Sequence, residues 1–301
     1  MLHESINKEI RCEAITLSLP QIELAGISYG DATKPILLCL HGWLDNLNSF
    51  IPLVNELSLQ GILSHYQIIC IDWPGHGLSA HRPGIYPLHW VDYIYDLHAT
   101  IAQLKLRNSS VSIIGHSLGG IIASAYNAAF ANSIDKLVLI EALVPMFESE
   151  QNIRSRLVKG IEAQSRFARK QLSQSAKTVD INTAVSARHQ LTKLDKPWCE
   201  LITERNLRST EVGFVWRSDP RLKLDSLYRL SFSQVEQLMN ATGTPSLLVL
   251  GTDGYKQLKS LPPKAKRWFN DLKTVLLEGD HHLHMGSAEQ VATQIRAFIL
   301  N

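Results

Sequence analysis

The residue with the greatest chemical reach is Ser117, held in Gly115-His116-Ser117-Leu118-Gly119-Gly120. A serine hydroxyl is a poor nucleophile at neutral pH unless a base takes its proton, and that base needs a carboxylate to fix its tautomer and stabilise the imidazolium. The chain supplies carboxylates at Glu141 and Asp253, and then His281 in Gly279-Asp280-His281-His282-Leu283-His284. Serine, acid and histidine in that order suit acyl transfer. The β-branched run Val111, Ile113, Ile114 stops at the glycine-flanked serine, and small and apolar residues at helical spacing follow, which reads as strand, sharp turn and helix. Glycine on both sides lets the backbone turn tightly, so the hydroxyl stands clear of the sheet while the next amide, that of Leu118, points back toward the reacting atom.

An oxyanion forming on an attacked carbonyl needs at least two preorganised donors, each worth about 3 kcal/mol of transition-state stabilisation. The backbone amides of Leu118 and Trp43 are assigned to it. In His41-Gly42-Trp43-Leu44-Asp45-Asn46 the glycine allows close approach and the Trp43 ring lines the pocket wall. His281 follows the last strand directly and is the base; His282 and His284 are the lesser choices, and a three-histidine metal site lacks a companion carboxylate at ligand spacing. The acid has two candidates: Glu141 and Asp253 both follow apolar strands and open onto the same edge, so the residues alone leave the choice open. Against these roles, Asp253 could be only a turn former in Thr252-Asp253-Gly254, and Glu141 only a surface or cap-contacting carboxylate. Asp72-Trp73-Pro74-Gly75-His76-Gly77-Leu78-Ser79 reads as a structural turn in which His76 is a satisfied loop histidine.

These residues need a scaffold that brings loops together. Residues 13–19 and 22–29 alternate as opening antiparallel strands, the continuous apolar runs at 35–40, 67–71, 111–115, 135–140 and 246–250 are of the kind buried on both faces of a parallel sheet, and a last strand is expected at 274–277. Helical segments at 48–59, capped by Asn48 or Ser49, and at 88–104 lie between them, with further helices at 263–270 and 288–300. Strand and helix alternate, so the fold class is α/β, a mostly parallel sheet covered by helices on both faces. From 143 to 240 the pattern changes to helical and polar with no apolar strand run, which reads as a helical cap inserted into a core made of residues 1–142 and 241–301.

Composition narrows the class further. With 301 residues, 30 basic against 28 acidic side chains and a net charge of +2, nothing asks for nucleic acid. Cys12, Cys39, Cys70 and Cys199 are scattered, the N-terminal stretch has no apolar core behind a basic start, and no run of eighteen apolar residues occurs, so a soluble cytoplasmic protein with no membrane span is expected. The cap aromatics Phe147, Phe167, Trp198, Phe214 and Trp216 point to a mainly apolar pocket. The basic residues Arg154, Arg156, Lys159, Arg166, Arg169 and Lys170 read as a solvated helix face, with an anionic-tail docking patch as the alternative.

With the 41–46, 72–79, 115–120 and 279–281 motifs in hand, the chain resembles the α/β-hydrolase superfamily over nearly its full length, and more narrowly the serine hydrolase-like family of carboxylesterases. Phe214-Val215-Trp216-Arg217-Ser218-Asp219-Pro220-Arg221 in the cap is also similar to that family. The resemblance implies Ser117 as nucleophile and His281 as base. It favours Glu141, since related small esterases place the acid in the loop after the strand that follows the elbow helix; a glutamate there departs from the commoner aspartate, and Asp253 occupies the other usual loop. A serine at the elbow argues against dehalogenase and epoxide hydrolase chemistry, which uses aspartate. The expectation is hydrolysis of a small-molecule carboxylic ester with no cofactor; thioesterase, carbon–carbon bond hydrolase, peptidase and a ligand-binding module on the same fold are the alternatives.

Overall fold

The continuous apolar runs become strands buried on both faces: β3 (Ile36–Leu40), β4 (Gln67–Ile71), β5 (Val111–His116), β6 (Leu137–Ile140) and β9 (Ser246–Gly251). The computed structural model describes residues 10–171, 178–240, 242–261, 265 and 267–301. With β1 (Cys12–Ser18), β2 (Glu23–Tyr29) and β10 (Leu272–Leu277), these strands build an eight-stranded sheet in the order β1-β2-β4-β3-β5-β6-β9-β10. The six strands from β4 to β10 in that order run parallel, while β1 and β2 pair antiparallel with each other and β2 antiparallel with β4, as the opening alternation predicts.

The period-2 geometry of strands splits each run between two cores. Ile36, Leu38 and Leu40 of β3 face one side with Ile69, Ile71, Ile113, Leu137, Leu139, Leu248 and Leu250, beneath α2 (Trp90–Lys105) and α3 (Leu118–Ala129). Leu37 and Cys39 face the other with Ile68, Cys70, Ile114, Val138, Ile140, Leu247 and Val249, against α1 (Ile51–Leu59) and α8 (Ala288–Ile299). Between β6 and β9 the chain runs through α4 (Ile153–Gln171), α5 (Ile181–Thr192), α6 (Lys196–Asn206) and α7 (Phe232–Leu238). Val185, Leu194, Leu201 and Ile202 from this stretch share a third cluster with Ile51 and Met285 of the sheet-bearing part. In α4 only Gly160 is buried, and Arg154, Lys159 and Arg166 are exposed, but Arg156 departs from the expected solvated face: it is half-buried, pairs with Glu148 at 2.9 Å and donates to the Ser226 carbonyl at 3.2 Å.

Three details depart from the sequence expectations. The stretch expected to hold no strand contains a two-stranded hairpin, β7 (Leu207–Thr210) and β8 (Gly213–Trp216), whose four-residue strands are too short to register as a periodicity. The helix expected at 48–59 starts as a 3₁₀ turn over Leu47–Phe50, capped not by Asn48 or Ser49 but by Asn46, whose side chain accepts from the Asn48 amide. The helix expected from residue 88 begins at Trp90, with His89 and Asp92 forming the reciprocal cap. The expected helix at 263–270 and the N-terminal reading fall in part or wholly outside the described residues. Among the described residues no helix is long and apolar enough to cross a membrane.

Successive crossovers leave β3 in opposite directions, with β4 on one side and β5 on the other. The loops after β3 and β5 therefore emerge side by side at the carboxyl edge, with those after β6, β9 and β10 farther along it; this is where an open α/β sheet presents a crevice.

Candidate active site

Strand β5 ends at His116 and α3 starts at Leu118, so Ser117 alone makes the turn, at φ 49° and ψ −116°. A positive φ in a non-glycine residue is costly and persists only where surrounding bonds hold it. Here the Ser117 amide donates to the Ile140 carbonyl at 3.0 Å, the Ile121 amide donates to the Ser117 carbonyl at 2.9 Å, and the Gly119 amide donates to the His41 carbonyl at 3.1 Å. A side chain at Gly119 would run into the Leu40 backbone, so glycine is what lets α3 begin so close to the end of β3. Leu44 at φ 59° and Glu141 at φ 50° share the positive φ, and they lie in the loops after β3 and β6. Strain is thus stored in three loops that meet at one edge.

Glu141 is buried at the end of β6 and accepts three donors: the Gly251 amide at 2.8 Å, the Tyr255 amide at 3.1 Å and His281 Nδ1 at 3.3 Å. Burial pushes this carboxyl up, but the His281 bond and the two amides outweigh it and hold the group below its usual range. A side chain at Gly254 would strike the carboxylate, so the turn after β9 can close over Glu141 only with glycine there. Tyr255 lays its ring 4.2 Å from that of His281, centroid to centroid. The His281 carbonyl in turn accepts from His116 Nε2 at 2.9 Å, and the two rings lie 4.8 Å apart, which sets His281 beside the residue preceding Ser117. With Nδ1 turned to Glu141, Nε2 of His281 is the nitrogen left to take a hydroxyl proton. Asp253 stands apart: it is exposed, its amide donates to the Gly279 carbonyl at 2.8 Å, and its carboxylate accepts from Thr252 Oγ1 at 3.3 Å.

The loop after β3 carries Trp43, 53% exposed, whose indole Nε1 donates to the Leu222 carbonyl at 2.9 Å. Two buried histidines brace that loop. His41 Nδ1 donates to the Gly42 carbonyl at 2.7 Å while its Nε2 accepts from the Trp73 amide at 3.0 Å. His76 Nδ1 donates to the Pro74 carbonyl at 3.1 Å while its Nε2 accepts from the Leu44 amide at 3.1 Å. Each ring uses both nitrogens as a neutral imidazole, and burial above all lowers the pKa of His41 to about 4 and that of His76 to about 3. Asp72 completes the brace by accepting from the Leu47 and Leu78 amides, both at 2.8 Å, and from Arg205 of α6 at 2.8 Å. The 72–79 turn is structural, and His76 is satisfied as expected.

A family profile described as the alpha/beta hydrolase fold matches residues 35–288. The chain belongs to the alpha/beta hydrolase fold family. It is 28% identical over 294 residues to the "Serine hydrolase-like protein" of Danio rerio, covering 94% of this chain and 87% of that one. The crystal structure of the hypothetical protein PA1622 from Pseudomonas aeruginosa PAO1 superposes with a TM-score of 0.84 at 28% identity, covering 96% of this chain and all (100%) of that one. A thioesterase domain from the curacin biosynthetic pathway shares the fold, with a TM-score of 0.79 at 21% identity over 95% of this chain and 99% of that one.

Several residues of this α/β-hydrolase that shape the edge are ones the motifs alone do not single out. Gly251, Gly254 and Tyr255 hold Glu141, two of them through backbone amides that no side-chain pattern announces. In the sequence His116 is only the variable position of the elbow, and Asp45 only part of the 41–46 motif; a titratable residue in an otherwise apolar or glycine-rich turn is the available signal. Among the expected pocket aromatics, Phe147 packs on Phe232 at 5.1 Å and Trp198 packs on the third apolar cluster. No group of three or more His, Cys, Asp or Glu among the described residues is arranged to hold a metal ion.

Proposed function

We propose that this α/β-hydrolase cleaves carboxylic esters of small molecules through an acyl-enzyme intermediate. Ser117 attacks the acyl carbon, His281 takes its proton and returns it to the leaving alkoxide, and Glu141 holds His281 in the tautomer that makes this possible. The Trp43 and Leu118 amides receive the oxyanion. Water then attacks the acyl-Ser117 ester with His281 as base, releasing the acid and restoring the hydroxyl. The observation that carries this reading is the buried Glu141 carboxylate on His281 Nδ1 at 3.3 Å, beside the strained Ser117 turn. Asp253, exposed and turned to Thr252, is left out of the chemistry.

The substrate is read as mainly apolar in its acyl part, since Trp43 and Tyr255, 53% and 58% exposed, offer aromatic surface beside these groups. Residues 143–240 act as a cap over a core of 1–142 and 241–301, anchored where Asn46 Nδ2 donates to the Ile202 carbonyl at 2.7 Å and Asn48 Nδ2 to the Leu201 carbonyl at 2.9 Å. Four unpaired cysteines fit a reducing, cytoplasmic setting.

The test is a p-nitrophenyl ester series from acetate upward with Ser117→Ala alongside. The wild-type rate should hold for medium chains and fall at the length that overfills the pocket, and Ser117→Ala should lose kcat on the order of 10⁶-fold without unfolding. A fluorophosphonate probe should label the wild-type protein and not the variant. Wild-type protein that is folded yet unlabelled, or a variant with near-native turnover, rejects the assignment; acyl thioesters offered in parallel decide which leaving group is preferred.

A further inference from the structure

Two consecutive histidines follow β10, and each has its own carboxylate. His281 Nδ1 meets Glu141 at 3.3 Å, and His282 Nε2 meets Asp45 Oδ2 at 3.3 Å. The peptide joining them is therefore held from both ends, and its carbonyl, that of His281, accepts from His116 Nε2 at 2.9 Å. His116 is the last residue before Ser117, and its Nδ1 lies 3.6 Å from the same Asp45 oxygen. Burial, followed by the crowding of three neighbouring imidazoles, keeps the His116 ring from taking a second proton. Its one proton is on Nε2, committed to the His281 carbonyl, so the bare Nδ1 has nothing to donate to Asp45. His282 is thus the donor on that side, with His284, its ring tilted by 37° at 4.1 Å from that of His116, backing the ring from the core.

The other Asp45 oxygen accepts from Arg188 of α5, whose Nη1 also donates to the Leu44 carbonyl at 3.0 Å. Burial raises the Asp45 carboxyl, but His282 and Arg188 outweigh it and keep it well below its usual range. Room for this arrangement comes from Gly42, where a Cβ would lie 2.9 Å from Asp45 Oδ2 and 3.0 Å from His116 Nδ1. One buried carboxylate therefore touches the loop that offers the Trp43 amide, the residue before the nucleophile, the base loop and a helix of the 143–240 segment.

We propose that Asp45 is a positioning residue: through His282 it sets the backbone of His281, and through Arg188 it makes that setting depend on α5 being seated. The proposal rests on the Ser117–His281 reading above. Misplacing a catalytic group by a fraction of an ångström to 1 Å lowers turnover without removing any reacting atom.

The experiment measures p-nitrophenyl ester turnover per serine labelled to completion by a fluorophosphonate, so that misfolded protein drops out of the rate. Asp45→Asn and His282→Phe should each lower kcat per labelled serine on the order of 100-fold, with KM within about twofold of wild type. His282→Gln, whose amide still donates toward Asp45, should recover most of the loss seen in His282→Phe. Arg188→Met should lower kcat less than Asp45→Asn, and the double variant should lose no more than Asp45→Asn alone, because both act through one carboxylate. Unchanged kcat per labelled site in Asp45→Asn and His282→Phe, or a change confined to KM, overturns the proposal, even if thermal stability falls. If Asp45→Asn does not fold, the contrast between His282→Phe and His282→Gln carries the test, and equal kcat in those two overturns the proposal. A Ser117→Ala variant that keeps turnover indicts the triad instead, so the two failures are distinguishable.

Discussion

A carboxylate with three donors is committed to one orientation, and at residue scale this separates Glu141 from Asp253. Glu141 is buried and holds the Gly251 and Tyr255 amides together with His281, whereas Asp253 sits in solvent on its own turn. Glu141→Ala should therefore lower kcat on the order of 10⁴-fold, the loss expected when a catalytic imidazole is left without its orienting acid, and Asp253→Ala should stay within about threefold. Saturating ester kinetics on the two variants measure this; a larger loss at Asp253 would reverse the assignment, and equal losses would overturn it. Ser117 and His281 stand out in the sequence itself, because glycine flanks and position after a strand are local properties. The acid stays open there because the two candidates have equivalent local settings; what distinguishes them is the Gly254 contact and the amides of another loop, which exist only once β6 and β9 lie side by side.

At the scale of elements, the contact between α3 and β3 governs the elbow. A methyl group at Gly119 meets the Leu40 backbone, which is held in the centre of the sheet and has nowhere to move, while Gly243 has open space and no left-handed φ. Gly119→Ala should cost about 3 kcal/mol of stability and carry the Leu118 amide away from the oxyanion, and Gly243→Ala should be neutral or stabilise by a few tenths of a kcal/mol to about 1 kcal/mol. Urea unfolding followed by circular dichroism, with kcat on the same samples, tests both; a Gly119→Ala protein as stable and active as wild type refutes this account of the turn. The parallel strands are legible in the sequence because burial on both faces leaves unbroken apolar runs. The β7–β8 hairpin is not, since four-residue strands carry no period, and the Asn46 cap is hidden because Asn48 and Ser49 offer the same chemistry two and three residues later.

Over the whole molecule, the same neutral histidines that brace the Trp43 loop set how the fold responds to acid. In the unfolded chain an imidazole takes its proton near pH 6.5, but burial holds His41 to about 4 and His76 to about 3. Between those limits the unfolded state binds protons that the folded state does not, so stability falls as pH falls, by up to about 1.4 kcal/mol per pH unit for each group. Glu141 adds a term of the same sign: its carboxyl lies below the usual 4.5, so its contribution is present above that value and is lost as pH drops through the folded one. The melting temperature should therefore decline steadily from pH 6.5 to pH 4, and His76→Gln, whose amide oxygen can still accept from the Leu44 amide, should make the decline shallower by about one proton. Calorimetry at half-unit pH steps on both proteins measures the two slopes. A wild-type melting temperature that stays level between pH 7 and pH 5, or a His76→Gln protein with an unchanged slope, would show that these buried rings take protons in the folded state after all, and that the loop is not locked by neutral imidazoles.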